Sequence, residues 1–464
     1  MVVTSESPCH TANMGRHPKQ PNHQLAELLA EIRVSRKGFA RRIVQRGKTI
    51  GIELRYDHTS VGRWLAGEQP TQPGPNLIAD VLTELCGRRV VPADCGMSGA
   101  KSSDVGLEFS LSLVEATASA TALWRSDVER RRFLEGTAYA VAVYPAASMR
   151  WLTLPGAEHP VSSSGLRRVG VADIEGVRAM TTAFSELDNQ VGGGKVRSTV
   201  VHYLHTSVTP LLRGSYTEEI GRRLFAVAAE LTKLAGWAAY DLEEHGLAQR
   251  YLIQSLRMAR AAGDAALSAE ILAAMSHQAT YVGRPGDAID LARAARIAAR
   301  AAGLPTLEAG CHMVEAHGHA ARSDKRSCGA SLNDAERAFD RGETSRPSWL
   351  RYLDSAYMSA KAGQCFQDLG EHDRAAGLAR ASLDMSDGYQ RGRVFNLCLL
   401  ASSLAVEDPR EAVRVGSRAL ELSGGVESRR THAYLRDVRA RLTPFAGMPE
   451  VADFRQRVVE AKSM

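Results

Sequence analysis

From Gln24 onward, apolar residues recur at three- and four-residue spacing and alternating runs are rare. The pattern therefore predicts helices almost throughout. QLAELLAEIR (24–33) opens the series. Ser35 then stands where an N-cap belongs, followed by Phe39, Ala40 and Ile43 on one helical face. Asp57 is placed to cap a second short helix, in which Val61, Trp64 and Leu65 form the buried stripe. His58, Thr59, Ser60 and Arg63 are expected on its outward side. Gly67, Pro70, Pro73 and Pro75 end that helix, and NLIADVLTEL (76–85) supplies another to close a small core.

Beyond Gly96–Ser103, which reads as a flexible linker, helical spacing resumes in LEFSLSLVEATASATAL (107–123) and RSDVERRRFLEG (125–136). Pro145, Pro155 and Pro160, with Ser162 to Gly165, predict an irregular loop, after which a long helical tract starts near Asp173. Within it, small residues recur in pairs seven apart: Ala248 and Ser255, Ala288 and Ala295, Ser331 and Ala338, Ala375 and Ser382, Ala412 and Ala419. Small side chains at such positions let the two helices of a hairpin approach closely, and each hairpin then buries its open face on the next. Gly214 to Met464 therefore reads as an array of helical hairpins similar to tetratricopeptide repeats, with longer and more degenerate units. The expected fold is all-α. A polar tail expected to be disordered (1–22) precedes a helix-turn-helix domain (23–96), a linker (97–104), a helical neck and loop (105–172) and the repeat array (173–464).

Composition narrows the function classes. The 464 residues are 44% hydrophobic and 24% charged, ordinary for a soluble protein. No run of eighteen apolar residues and no apolar leader occurs, so neither a membrane span nor a signal peptide is expected. Seven scattered cysteines without a C-x-x-C pair suit reduced thiols in a cytoplasmic protein.

Charge is confined. Arg33, Arg36, Lys37, Arg41, Arg42, Arg46, Lys48, Arg55 and Arg63 face only Glu53 and Asp57 between positions 33 and 63. This stretch alone carries an excess of seven, against +6 for the whole chain. A cationic cluster on a small helical unit is the electrostatic footprint of phosphate binding, although positive charges on helices often do no more than solvate a face. Arg36, Lys37, Arg41, Arg42 and Arg55 are the candidates for phosphate contacts on double-stranded DNA. His58, Thr59, Ser60 and Arg63 are the candidates for base edges in the major groove.

Other motifs point to less. Gly192-Gly193-Gly194-Lys195 lacks the leading glycine and the Ser/Thr of a phosphate loop and is expected to end a helix. His312 and Glu315 have a metal-capable spacing on a helix with Glu308, but such groups more often line a solvated face. Neither a metal, a cofactor nor an enzymatic activity is expected. Tyr251, His277, Gln278 and Tyr281 are candidates for lining a ligand or partner groove in the array, whereas Trp237 and Tyr240 are assigned to hairpin packing.

Ser35-Arg36-Lys37-Gly38-Phe39-Ala40 and Thr59-Ser60-Val61-Gly62-Arg63-Trp64, with Gly67 and Pro70, resemble the two helices of the phage-repressor-like (Xre/Cro) helix-turn-helix. The chain departs from that pattern in having about ten extra residues between them. Either the first helix is longer, or Gly47 to Tyr56 forms an insert such as a β-wing with Ile50, Ile52 and Leu54 alternating. RRVGVADIEGVR (167–178), LDNQVGGGKVR (187–197), YLHTSVTPLLRGSY (203–216), LAGWAAYDLEEHGLAQRYLIQSLRMARAAGD (234–264) and AMSHQATYVG (274–283) widen the likeness. They are similar to actinobacterial helix-turn-helix regulators with a tetratricopeptide-like C-terminal region, some of which restrain sporulation and antibiotic production. The resemblance implies a homodimeric, DNA-binding transcriptional regulator whose array receives a peptide, small-molecule or protein signal. The alternative is a repeat-type interaction scaffold whose first domain does not read DNA.

Overall fold

The computed structural model describes residues 21–49, 54–70, 74–88, 90, 92–97, 105–129, 137–154, 158–162, 165, 167–343, 345 and 347–461. Every regular element among them is helical, and β-structure is limited to the isolated bridges Ser162–Tyr216 and Arg168–Ser215. The chain forms two compact units, Met1–Asp104 and Val105–Met464.

The first unit holds α1 (His23–Glu31), α2 (Arg36–Thr49), α3 (His58–Leu65) and α4 (Gly74–Cys86). Its helix starts follow the sequence closely. Asn22 caps α1, Ser35 Oγ accepts from Gly38 N at 3.1 Å, and Asp57 caps α3. Phe39, Ile43, Val61, Trp64, Ile78 and Leu82 meet in one core, with Tyr56 edge-on to Trp64 at 5.0 Å. α2 extends to Thr49, so the first of the two alternatives, a longer first helix, accounts for most of the extra residues. Ile50 and Ile52 of the suggested β-wing lie outside the described residues. Asn22 is more than the end of a polar tail, since it also binds the carbonyl of Cys95 from across the unit at 2.8 Å.

The second unit begins with α5 (Leu113–Glu129), α6 (Val143–Thr153), α7 (Val171–Val191), α8 (Gly193–Tyr203), a π turn over Leu204–Val208, and α9 (Thr209–Leu212). Six hairpins follow, one more than the paired small residues mark. They are α10 (Glu218–Asp241) with α11 (His245–Ala262), α12 (Ala265–Tyr281) with α13 (Pro285–Ala301), and α14 (Pro305–Ala320) with α15 (Lys325–Arg341). The rest are α16 (Ser355–Asp368) with α17 (His372–Ala381), α18 (Gln390–Leu404) with α19 (Pro409–Ser423), and α20 (Arg429–Arg441) with α21 (Pro449–Glu460). All ten small residues of the register are buried, and they fall on or at the end of the second helix of each pair. Their effect is visible at Gly236, where an added Cβ would come within 2.9 Å of Tyr251 Cβ on the facing helix. Punctuation is equally local: Gly263, at φ 70°, ends α11, and Asp264 caps α12.

The segment expected to form a neck is instead part of the array's own core. Gln249 of α11 makes two 2.9 Å bonds to the backbone of Ala140, and Gln254 binds the carbonyls of Gly106 and Glu108. Arg257 binds the carbonyls of Ser110 and Leu111 and pairs with Glu158. Residues 105–112 are not helical. Their orphaned carbonyls are satisfied by these side chains, which is what lets irregular backbone lie on a buried helix.

Candidate functional site

On α2 and α3 the structure separates an apolar inner face from a cationic outer one. Arg36, Lys37, Arg41, Arg42, Arg55, His58, Thr59 and Arg63 are all exposed. Among the described residues Arg63 pairs only with Glu68, at 3.6 Å, while Arg36, Lys37, Arg41, Arg42 and Arg55 have no acidic partner. Exposed pairs of that kind are weak and screened by salt, so Arg63 is available to another anion.

Ser60 does not belong with this group. It is 3% exposed, its Oγ donates to Asp57 Oδ1 at 3.0 Å, and its backbone N–H donates to the same oxygen at 2.9 Å. Residues 60 and 64 lie one helical turn apart, so Ser60 shares the stripe of Trp64 and closes a capping box. Thr59 Oγ1 also donates to Asp57 Oδ1, at 2.7 Å, although its side chain stays exposed. These bonds hold the Asp57 carboxyl well below its ordinary range, the Thr59 hydroxyl contributing most.

The second unit has a separate concentration of chemistry on the inner face of the array, where first helices of the hairpins converge. Trp237 and Tyr240 come from α10, His277 and Tyr281 from α12, His317 from α14, Lys361 from α16, Phe395 from α18 and Arg430 from α20. Trp237 stacks on His277 at 5.8 Å and meets Tyr240 edge-on at 5.3 Å. Lys361 Nζ lies 3.0 Å from His277 Nδ1. The Arg430 guanidinium is surrounded by the rings of Tyr240 (4.2 Å), Phe395 (4.8 Å), Tyr281 (5.5 Å) and Trp237 (5.8 Å). Burial pushes the Lys361 ammonium down to about 7, and the nearby Arg430 charge adds to that shift. The same two causes, together with Lys361 itself, keep His277 neutral.

Residues 25–98 match the family model described as the SP15 N-terminal domain. That match is confined to the first unit. No curated protein matches the chain. Among solved structures, a Rap protein complexed with competence and sporulation factor is similar over 63% of this chain and 97% of that one. The two share 12% identity with a TM-score of 0.40, too remote a likeness to inform function.

The array residues singled out from the sequence divide sharply. His277 and Tyr281 do lie on the inner face, with Tyr281 Oη donating to Glu243 at 2.8 Å. Tyr251 and Gln278 do not line a groove. Tyr251 sits on a second helix under α5, is 0% exposed, and donates to Asp127 Oδ2 at 2.6 Å beside Arg197. Gln278 is equally buried, its amide accepting from Tyr144 Oη and donating to the carbonyl of His245 at 2.9 Å. Both are polar groups buried with their bonds met, and hold α5 and α6 to the hairpins. Tyr240 packs as expected, but Trp237 keeps an open edge on the inner face.

His312, Glu308 and Glu315 are buried and do not line a solvated face. Arg293 and Arg296 pair with Glu315, and Arg300 and Arg341 with Glu308, which leaves the carboxylates fully engaged. Among the described residues no group of three metal-ligating side chains converges. The glycine run closes a different contact. Gly192 ends α7 at φ 85°, Gly193 lies against the backbone of Ala238, and Gly194 N donates to Glu427 O at 3.0 Å. Sequence reasoning missed Lys361, Phe395 and Arg430. The helical period marks which residues of each helix are buried, but it does not say which distant helices share an interior.

Proposed function

We propose that the chain is a sequence-specific regulator of transcription that binds double-stranded DNA as a homodimer, with the helical array receiving a signal. The observation that carries this reading is the set of exposed cations over a well-packed small core, of which Arg36, Lys37, Arg41, Arg42 and Arg55 have no acidic partner among the described residues. Such a face suits phosphate contacts from Arg36, Lys37, Arg41, Arg42 and Arg55, which supply affinity and salt dependence without sequence preference. Base readout then falls to Arg63, with His58 and the exposed side of Thr59. A bidentate arginine on guanine contributes about 1–3 kcal/mol of discrimination. The resemblance to actinobacterial regulators extends the reading to genes of sporulation and antibiotic production. No described helix is long and apolar enough to cross a membrane.

The test is selection of bound duplexes from a random-sequence pool by the full-length protein, followed by titration of the winners at two salt concentrations. Enrichment of a two-fold motif supports the regulator and fixes the half-site spacing of the dimer. Binding with a steep salt slope but no enrichment reduces the reading to phosphate contact alone. An absence of binding transfers the chain to the class of repeat-type interaction scaffolds.

A further inference from the structure

Arg430 is an unusual cation for a protein interior. Its side chain is 4% exposed, yet Nε and Nη1 are buried without a hydrogen-bond acceptor. The nearest carboxylate, Asp241, stands 3.9 Å away. Asp241 is already occupied: it accepts from Gly193 N at 3.1 Å and from Ser428 Oγ at 2.8 Å, and pairs with Arg391 at 3.3 Å. Aromatic faces offset part of the charge of a guanidinium, but they offer nothing in its plane for the N–H groups to bind.

A second, half-buried cation faces the same interior. Lys361 Nζ has one polar contact, His277 Nδ1, and lies 5.8 Å from the Tyr357 ring. Burial, with the Arg430 charge added to it, lowers the affinity of Lys361 for its proton, and no carboxylate lies within ion-pair distance of its Nζ among the described residues. His317, the next group on this face, is engaged with Asp368 at 3.1 Å and adds no free negative charge. Trp237, Tyr281, His317, Lys361, Phe395 and Tyr434 all keep part of their surface open, so this face is not sealed by protein.

We infer that the inner face of the array is a binding site for a carboxylate carried on an aromatic or apolar body, with Arg430 as its principal anchor. The carboxylate supplies the acceptors that Arg430 lacks and the counter-charge that Lys361 lacks, and the rings of Trp237, Phe395 and Tyr434 take the apolar part. A small organic acid and the free C-terminus of a short peptide share this chemistry. The inference deepens the signal-receiving part of the proposed function and is independent of DNA binding. It is therefore tested on ligand binding alone, and a failure here leaves the DNA-binding test untouched.

Isothermal titration of the full-length protein compares phenylacetate with phenylacetamide, and a short peptide ending in a free phenylalanine carboxylate with the same peptide amidated. Each acid is expected to bind roughly tenfold or more tightly than its amide, because a buried charged hydrogen bond is lost with the charge. A free-acid peptide that binds more tightly than phenylacetate identifies a peptide source, and the reverse order identifies a small acid. Arg430→Gln is expected to abolish the preference for acid over amide, and Lys361→Met to reduce it. Should Arg430→Gln fail to fold by circular dichroism, the acid–amide pairs on the native protein and Lys361→Met still decide the matter. Equal binding of acid and amide, no binding of either acid at about 10 mM, or an undiminished preference in folded Arg430→Gln would overturn the inference.

Discussion

Arg391 donates through Nη2 to Asp188 Oδ2 at 2.7 Å, and both residues are buried although 203 positions separate them. The same guanidinium reaches Asp241 at 3.3 Å, so one side chain of the fifth hairpin neutralises carboxylates from α7 and α10. Burial raises the Asp188 carboxyl above its ordinary value, against the pull of Arg391. Removing the cation would strand both acids. Arg391→Met is expected to destabilise the protein by about 3–5 kcal/mol, read as a lowered urea midpoint. A loss below about 1 kcal/mol would show that water already screens this junction.

Gly193 and Lys195 separate the structural reading of the glycine run from a nucleotide-binding one. A Cβ at Gly193 would stand 2.7 Å from Ala238 O and 2.8 Å from Ala238 Cα, both backbone atoms that cannot rotate away. Gly193→Ala is expected to cost about 1–3 kcal/mol by overpacking. Lys195 is exposed, and Lys195→Ala should stay within about 0.5 kcal/mol of the parent. Thermal melts of the two variants check this. Nucleotide-dependent stabilisation lost in Lys195→Ala would contradict it.

The two classes of cation on the first unit should respond differently on a selected operator. Arg42→Ala is expected to weaken binding to all sequences alike and to lower the salt slope by about one. Arg63→Ala should relax discrimination at one base position by about 1–3 kcal/mol. Competition titrations with operator and scrambled duplexes measure both, and an unaltered preference in Arg63→Ala would remove that residue from base readout. Ser60→Ala should alter stability through the cap rather than preference among bases.

Lys361 gives a pH signature. Its folded-state value is about 7, whereas the unfolded chain holds the proton up to the ordinary value of 10.5. Between these limits the unfolded state binds more protons, so this residue makes stability rise with pH and weighs against folding below about 7. Lys361→Met is expected to raise the melting temperature at neutral pH and to flatten its increase over the next two pH units. An identical pH slope in the variant would assign the effect to other groups.

Asp57 has the opposite sign. Its carboxyl is held below the ordinary value of 3.8 by the Thr59 hydroxyl, the Ser60 N–H and the Ser60 hydroxyl. The stabilisation is therefore complete above that value and is lost as pH falls beneath it. In the full chain, Asp57→Ala should lower DNA affinity at neutral pH by fraying α3, and Asp57→Asn should retain most of it, since asparagine is also a good N-cap. Equal losses in the two variants would point to the charge rather than the cap.

Much of the architecture was legible in the residues themselves. Capping by Ser35 and Asp57, the stripe of Val61 and Trp64, and the five pairs of small residues are local rules of helix starts and close packing, and the structure follows each of them. The sixth hairpin escaped because α21 packs with Val451, Phe454 and Val458 in place of small residues. Ser60 was misread because the outward side of a short helix was drawn too wide, by one residue that shares the turn of Trp64. Tyr251 and Gln278 were misread because nothing in their spacing reveals that residues 105–154 lie over the second helices. Cys328 and Cys365, scattered in the chain, are brought into one buried cluster between α15 and α16.

The sequence by itself determined that the chain is helical, where most of its helices begin and end, which of their faces are buried, and that its positive charge is concentrated near the N-terminus. Those properties depend on neighbours three or four positions away, or on composition, and are written locally. Tertiary structure alone decided that Glu427 would close on the glycine run, that Arg391 would sit between Asp188 and Asp241, and that Arg430 would be enclosed by rings from other hairpins without an acceptor. Those contacts join residues up to some two hundred positions apart. They arise from small rotations accumulated from hairpin to hairpin, a quantity that no single stretch of sequence records.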